Sequence, residues 1–465
     1  MRRITGTHVY SYVKCPRLAA LDLHLPRSER RPATAAEEFA AARGRDFEAV
    51  YVADLGAVAP AYPDRDFAAG AAATRKLLAD GAPIVHQAVL SIDDRLGLPD
   101  LLRKLPGGSD LGDHHYEVID VKTSGRARGD QVLQVVFYSQ LLAEVQGRMP
   151  EHGALILKDR SEERFAIADY LGAGREVLAA LGRLRADVDE AQPFLQAGCA
   201  TCYFNHRCLP ELAARNDLSL VMGMSRGAAA ILRELGVATV QDLATFHPEG
   251  ARQRGNLDAA LVRRLRRAAQ AHLLGQPILE VRPPERALDD AAILHVLADP
   301  FADRVLALGT LYPAREDGQF EWQRVATAAD EVPVLRTLIA ALPRRTTLLH
   351  FGETLPRMYE KHAFARDADT SLEERFVDLG RRLRAAAIQP APAFGLEDLV
   401  RLTLRRDPRR VGNANEAALW ATQADGDAKM GAKLRGDLGD LAALVDALLR
   451  AERAKPSEKV EAIES

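Results

Sequence analysis

Four cysteines are all that this 465-residue chain holds, and three of them crowd into CATCYFNHRC, from Cys199 to Cys208. The fourth, Cys15 in SYVKCPRLAALDLH, lies near the amino terminus. The spacing Cys-x2-Cys-x5-Cys can hold three corners of a tetrahedral group, and a remote thiolate can complete it. If one group gathers all four, the two ends of the segment 15–208 must meet, and this limits how that segment can close. Three readings are open: buried apolar cysteines, a four-cysteine zinc site, whose usual form is two paired knuckles, and an iron–sulphur cluster. A disulfide framework is not among them, because such frameworks belong to small secreted domains. His206 is a further donor that four cysteines make unnecessary.

The length exceeds one ordinary core and predicts two or three domains. Hydrophobic residues at 47% and charged residues at 27% describe a soluble globular chain. A formal net charge of −3 neither supports nor excludes a nucleic-acid partner, so any binding surface must be a local patch. MRRITGTHVYSYVKC has basic residues but no apolar signal core, and no run of about 18 apolar residues occurs, so a cytoplasmic location is expected. The absence of a G-x4-G-K-[S/T] loop argues against a nucleotide-driven motor.

Apolar periodicity predicts helices over 35–56 and 67–80. PIVHQAVLSI and YEVIDVKTS read as strands, flanking a strand and turn in GLPDLLRKLPGGSDLGDHH. A helix over 129–147, strands in GALILKD and RFAIADY, and a long helix to about 190 complete an α/β unit that ends at the cysteine run. Residues 211–275 read as a helical segment and 276–287, with QPILEVRPPERAL, as a linker. Residues 288–455 mix helices with strand candidates ILHVLAD, RVLALGTLY and TLLHF, a second α/β domain. The tail 456–465 is expected to be disordered.

Between the cysteines, GLPD ends in Asp100 and VIDVKTS holds Asp120 and Lys122. Strand positions two apart face the same side, so Asp120 and Lys122 project together. With Asp100 on a neighbouring strand they can hold a hard divalent cation through oxygens, with the ammonium beside an attacking water, which is the chemistry of metal-assisted phosphodiester hydrolysis. The triplet alone carries little, since Asp-x-Lys is common and usually forms a solvated strand face. Gln134 and Tyr138 in LQVVFYSQLL are four apart and share a helix face, which could equally be half of an amphipathic helix.

Taken together, Cys15, Asp100, Asp120-Val121-Lys122, Gln134-x3-Tyr138 and Cys199-x2-Cys202-x5-Cys208 resemble, in order and spacing, the RecB-like nucleases of the PD-(D/E)xK superfamily that carry an iron–sulphur cluster. CRISPR-associated RecB-like exonucleases belong to this group. The resemblance spans residues 1–210. It implies a restriction-endonuclease-like α/β core and a [4Fe-4S] cluster on Cys15, Cys199, Cys202 and Cys208. It also implies a Mg²⁺ or Mn²⁺ site that cuts single-stranded DNA or DNA ends in DNA processing or repair, with a helicase or another DNA-processing protein as the partner class. Asp100 and Asp120 would then ligate the metal, with the Val121 carbonyl as an added ligand. Lys122 would position or activate water and stabilise charge on the phosphate, and Gln134 and Tyr138 would contact the site and DNA. One position departs: the family carries a ligating His in the early helix, in a pattern like G-x-x-H-E, where GRDFE has Phe47. The site is therefore expected to be a ligand short, with Glu48, Asp46 and His86 as nearby donors that are also explained as surface or packing residues.

SRGAAAILRELGVATVQDLATF places LGV between two short helices and resembles a helix-hairpin-helix, whose turn presents backbone N–H groups and a helix N-terminus to phosphate. Downstream, Arg263, Arg264, Arg266 and Arg267 form a run that by itself would be a solvated helix face. The order of nuclease, hairpin and further α/β domain resembles a family of RecB-like nucleases with a carboxyl-terminal RNase-H-like, DnaQ-type exonuclease domain. There the first strand reads like D-x-E-G-D-P, whereas HVLADP has His295 and Leu297 in place of the acidic pair. That domain is expected to be degenerate, with Asp299 in a loop and Asp378 and Asp440 still acidic. The rivals to a nuclease are a degenerate DNA-binding scaffold, motivated by Phe47, His295 and Leu297, and a zinc-stabilised regulatory protein.

Overall fold

The computed structural model describes residues 2–453 apart from 248–256, 280–287, 289, 363–371 and 410–415. It is an α/β protein that divides into two compact units, residues 1–193 with 198–208, and residues 194–197 with 209–465.

In the first unit β1 (Ile4–Thr5) leads into two nine-residue helices, α1 (Gly6–Lys14) and α2 (Pro16–His24), separated by Cys15 in extended conformation. Proline at the first position of α2 costs no hydrogen bond there and sets the break. α3 (Ala35–Ala53) starts at a capping box between Thr34 and Glu37, and α4 (Phe67–Ala79) at the Asp66 side chain. β2 (Ile84–His86), β3 (Leu90–Ile92) and β4 (Arg95–Gly97) precede the long hairpin of β5 (Leu101–Ser109) and β6 (Gly112–Val121). α5 (Gly129–Gln146) crosses from β6 to the parallel β7 (His152–Ile156), β8 (Glu162–Ala166) returns antiparallel, and α6 (Leu171–Ala186) follows. α7 (Asn205–Ala214) begins inside this unit.

Five strands form one sheet in the order β2-β5-β6-β7-β8, so β6 lies in the middle. A parallel neighbour needs a long crossover, and α5 supplies it. Pleating splits β6 between two layers. Tyr116 and Val118 join the main core with Phe137, Leu141 and Leu142 of α5, while Ile119 and Val121 pack with Phe47 and Tyr51 of α3. Burying each of the larger side chains contributes about 1.5–3 kcal/mol. The expected helices over 35–56, 67–80 and 129–147 are present. The expected strand PIVHQAVLSI is instead split into β2 and β3, because Gln87 between them takes a left-handed φ of 49°.

The second unit opens with α8 (Arg226–Glu234), α9 (Val240–Thr245), α10 (Ala259–Leu274) and β9 (Ile278–Leu279). β10 (Ala291–Asp299), β11 (Arg304–Tyr312), β12 (Gln319–Arg324), α11 (Glu331–Ala340), β13 (Thr347–His350), α12 (Thr354–Lys361) and β14 (Phe376–Asp378) follow. α13 (Leu379–Ala386), β15 (Ala387–Ile388), α14 (Leu396–Leu404), α15 (Ala417–Trp420) and α16 (Gly426–Arg453) close it. Its five-stranded sheet runs β12-β11-β10-β13-β14, antiparallel on one side of β10 and parallel on the other. Within the expected linker, Ile278 and Leu279 pair with β15, and Ile278 joins the core of the helical segment. Residues 280–287 of that linker and the tail 456–465 lie outside the described residues. No helix among the described residues is long and apolar enough to cross a membrane.

Candidate functional site

Asp120 and Lys122 stand on the α5 side of β6, at the strand's carboxyl end, as the two-residue period requires. Asp100 precedes β5 and is bound to β6 twice. Its amide donates to Asp120 Oδ1 at 3.3 Å, and its Oδ2 accepts the Val121 N–H at 2.7 Å. The Lys122 ammonium lies 2.6 Å from Asp120 Oδ2, and Asp120 is almost fully buried. That oxygen accepts no hydrogen bond of acceptable geometry, so the ionic contact is its compensation. Two carboxylates thus share one ammonium. Burial first, and then the Asp120 charge, hold the Asp100 carboxyl well above the ordinary carboxylate range against the pull of Lys122. Burial opposes the charge of Lys122, but Asp120 and Asp100 outweigh it and raise its pKa.

Gln134 and Tyr138 lie one turn apart on α5, with the Gln134 amide donating to the Tyr138 hydroxyl at 3.0 Å. Burial, then the charges of Asp120 and Asp100, push the Tyr138 phenol well above its usual pKa and keep it neutral. Two glycines make room for it. A Cβ on Gly6 would overlap the Tyr138 hydroxyl, and one on Gly97 would lie 3.0 Å from its ring and 2.8 Å from Leu141. The sequence reading missed both, although Gly97 sits in the quartet GLPD that flagged Asp100. It also missed Tyr10 on α1, whose hydroxyl accepts from Arg128 at 3.3 Å, whose ring lies 4.1 Å from the Lys14 ammonium, and whose field reaches Lys122. Arg128 is also paired with Asp130 at 2.6 Å.

Phe47, expected where a ligand was missing, belongs to the apolar layer on the opposite face of β6, with Val121 and Ile119. Its neighbour Glu48 meets polar groups: Oε1 is hydrogen-bonded to His86 Nε2 at 3.1 Å and accepts from Gln87 Nε2 at 3.3 Å. The Val121 amide is used by Asp100, and its side chain is buried.

The cysteine run meets the amino-terminal segment through arginines. Arg31 donates from its backbone to Tyr203 O at 3.0 Å and from its side chain to Thr201 O at 2.7 Å, and Arg207 pairs with Glu29 at 2.7 Å. Arg17, two residues past Cys15, donates to the carbonyls of Val188 and Ala191. None of the four cysteines is in a disulfide, and all are half-buried. They lie within electrostatic reach of one another: burial first, then Cys202, push the Cys208 thiol up to about 11, with Cys15 and Cys199 adding and Arg17 opposing. Burial also raises the pKa of Cys202, whose sulphur accepts the Phe204 N–H at 3.5 Å. His206 is exposed.

Among the described residues no three His, Cys, Asp or Glu side chains stand close enough to hold a single metal ion as placed. Asp100 Oδ2 is turned to the Val121 amide and Asp120 Oδ2 to the Lys122 ammonium. The donor sets still have the right chemistry. Buried carboxylate oxygens have the chemistry that suits a hard cation, and thiol sulphurs have the chemistry of iron–sulphur ligands, although the four cysteines are not gathered into one group as placed.

The hairpin turn in the second unit departs from expectation. The amides of Leu235, Gly236 and Val237 donate back to α8 carbonyls, those of Ala238 and Thr239 donate to the Asp242 carboxylate, and that of Val240 donates to Asn216 O. The donors expected to face phosphate are therefore spent inside the fold. Arg263 and Arg264 are exposed on α10, whereas Arg266 bonds the Ala244 carbonyl. In the carboxyl-terminal sheet His295 pairs with Asp437 at 3.1 Å, Leu297 is buried in an apolar cluster, and Asp299, expected in a loop, is instead the buried last residue of β10, where it accepts the amides of Phe301 and Ala302. Asp378 caps α13, and Asp440 is buried against Arg406 at 2.8 Å and the Arg409 amide.

No family model matches the chain, and no curated protein sequence matches it.

Proposed function

We propose that the protein is a metal-dependent deoxyribonuclease with a RecB-like PD-(D/E)xK core in its first unit, acting on single-stranded DNA or DNA ends in DNA processing or repair. The observation that carries this reading is the pairing of Asp100 with Asp120 across β5 and β6, with a lone lysine ammonium 2.6 Å from the second carboxylate. A buried site with two carboxylates and one ammonium is short of positive charge, and a divalent cation would supply it. Asp100 and Asp120 would hold Mg²⁺ or Mn²⁺, joined by the Val121 carbonyl. When bound, the ion supplies Lewis-acid polarisation of the phosphate and a water acidified for attack.

The chain's own residues do the rest. Freed from Asp120, the Lys122 ammonium would orient the attacking water and offset charge growing on the scissile phosphate. Tyr138, kept neutral by its surroundings, would donate a hydrogen bond at the site's edge, and Gln134 fixes its hydroxyl. Tyr10, Lys14 and Arg128 would hold the strand approaching Lys122. Cys15, Cys199, Cys202 and Cys208 would carry a [4Fe-4S] cluster that fastens the amino-terminal segment to the cysteine run. The second unit would be a non-catalytic RNase-H-like domain serving substrate guidance or partner binding, a helicase being the partner class. Cleavage of end-labelled single-stranded DNA by anaerobically purified protein, dependent on Mn²⁺ and stopped by chelation, tests the reading. A protein inert toward single strands and duplex ends alike in Mn²⁺ would overturn it.

A further inference from the structure

The second unit holds a cavity of about 330 Å³ where β9 and β15 meet α13, α14 and α16. Sites for small organic molecules span about 300–1,000 Å³, so one such molecule fits. Leu279, Leu383 and Leu448, with Ala386, Ala387 and Ala447, make the walls apolar, and no acidic side chain lines them among the described residues.

Two features of the lining call for a ligand. Gln389, at 0% exposure, follows β15 and lines the cavity. Its Oε1 accepts from the Thr403 hydroxyl at 3.3 Å, but its Nε2 has no hydrogen-bond partner among the described residues. A buried amide donor without an acceptor is a net cost to folding, and the cavity is the space from which an acceptor can reach it. The other feature is charge. Arg405 and Arg450 line the same cavity from its exposed side. Arg405 donates to the neutral Gln276 Oε1 at 2.9 Å, and neither arginine pairs with a carboxylate among the described residues. Exposed arginines alone are ordinary surface. Here they share an apolar cavity with a buried donor that lacks an acceptor.

We propose that this cavity binds a small organic anion, with an apolar body against the leucines and alanines, its charge on Arg405 and Arg450, and a hydrogen-bond acceptor on the body for Gln389 Nε2. The site lies wholly in the second unit and does not depend on the nuclease reading.

The test uses the full-length protein and the fluorescence of anilinonaphthalene sulfonate, itself an apolar anion. Decanoate and its methyl-ketone analogue, with the carbonyl beside the terminal methyl, serve as competitors. The wild type is expected to take up the dye saturably, and both acids to displace it, the ketone more tightly. Arg405→Gly combined with Arg450→Ala should weaken both acids roughly tenfold or more. That variant should melt no lower, because glycine relieves the left-handed φ of 53° at Arg405 and alanine favours the helix at Arg450. Ala447→Leu, which fills the cavity from α16 with a good helix former, should abolish displacement by either acid. Gln389→Leu should keep decanoate and lose the preference for the ketone. Decanoate that does not displace the dye from wild type, or that binds the double arginine variant or Ala447→Leu as tightly as wild type, overturns the proposal. A preference for the ketone that survives Gln389→Leu overturns it as well.

Discussion

The two five-stranded sheets share a plan: in each, the third strand in spatial order is antiparallel to one neighbour and parallel to the other. Each also buries a lysine–carboxylate pair beside that strand, Lys122 with Asp120 at 2.6 Å and Lys433 with Asp437 at 2.7 Å. The balance of charge differs. In the first sheet Asp100 and Asp120 face one lysine, and the Asp100 pKa is raised. In the second, burial acts to raise the Asp437 pKa, but His295 and Lys433 together overcome it and leave it lowered. A buried cluster that lacks positive charge is ready for a cation, whereas one saturated by its own side chains is structural. On this ground we assign chemistry to the first unit alone.

Asp437→Ala strands a buried ammonium, and a loss of about 3–5 kcal/mol is expected in denaturant melts. A negligible loss would mean that the second cluster is not a closed ion network. In the first unit, Gly6→Ala drives a methyl into the Tyr138 hydroxyl and should cost about 1–3 kcal/mol along with much of the cleavage rate. Activity that survives the substitution would remove Tyr138 from the site. Phe47→His should cost about 1–2 kcal/mol and leave Mn²⁺ affinity unchanged, because the side chain faces the apolar layer of Val121 and Ile119. A gain in affinity or activity would contradict that placement.

The smallest effect is the most telling in sign. Asp100 binds its proton more tightly folded than unfolded, so its contribution is present at low pH and lost as pH rises through the folded value. Metal-free Asp100→Asn should therefore melt slightly higher than wild type at alkaline pH, with the difference fading on acidification. Asp437 is the reverse case. Its lowered pKa gives stability that is present above the unfolded carboxyl value and lost as pH falls through the folded one. Thermal melts in chelator across pH would show opposite slopes for the two variants, and parallel slopes would dissolve the contrast.

Periodicity was enough for α3, α4, α5 and the strands β6, β7, β10, β11 and β13, because each carries its own apolar face or run. Asp120, Lys122, Gln134 and Tyr138 were legible for the same reason: their spacing alone decides that they share a side. What escaped depended on contacts between distant segments. Nothing local marks Gln87 as the break between β2 and β3, since glutamine is no usual occupant of φ near 49°. Gly6 and Gly97 matter only once Tyr138 lies between them. Lys433 and Asp437 are four apart on α16 and could have been paired from sequence, but His295 joins them only through the sheet. α1 and α2 are short and interrupted at Cys15-Pro16, so neither offers a full apolar repeat.

The most direct measurement is of cutting and binding on the same samples: end-labelled single-stranded DNA with Mn²⁺ and anaerobically purified wild type and Asp120→Ala. The account expects wild type to bind and cut, and the variant to keep its DNA affinity while losing roughly 10²- to 10³-fold or more in cleavage rate. A wild-type protein that binds DNA and never cuts it, or a variant that cuts as well as wild type, would contradict it.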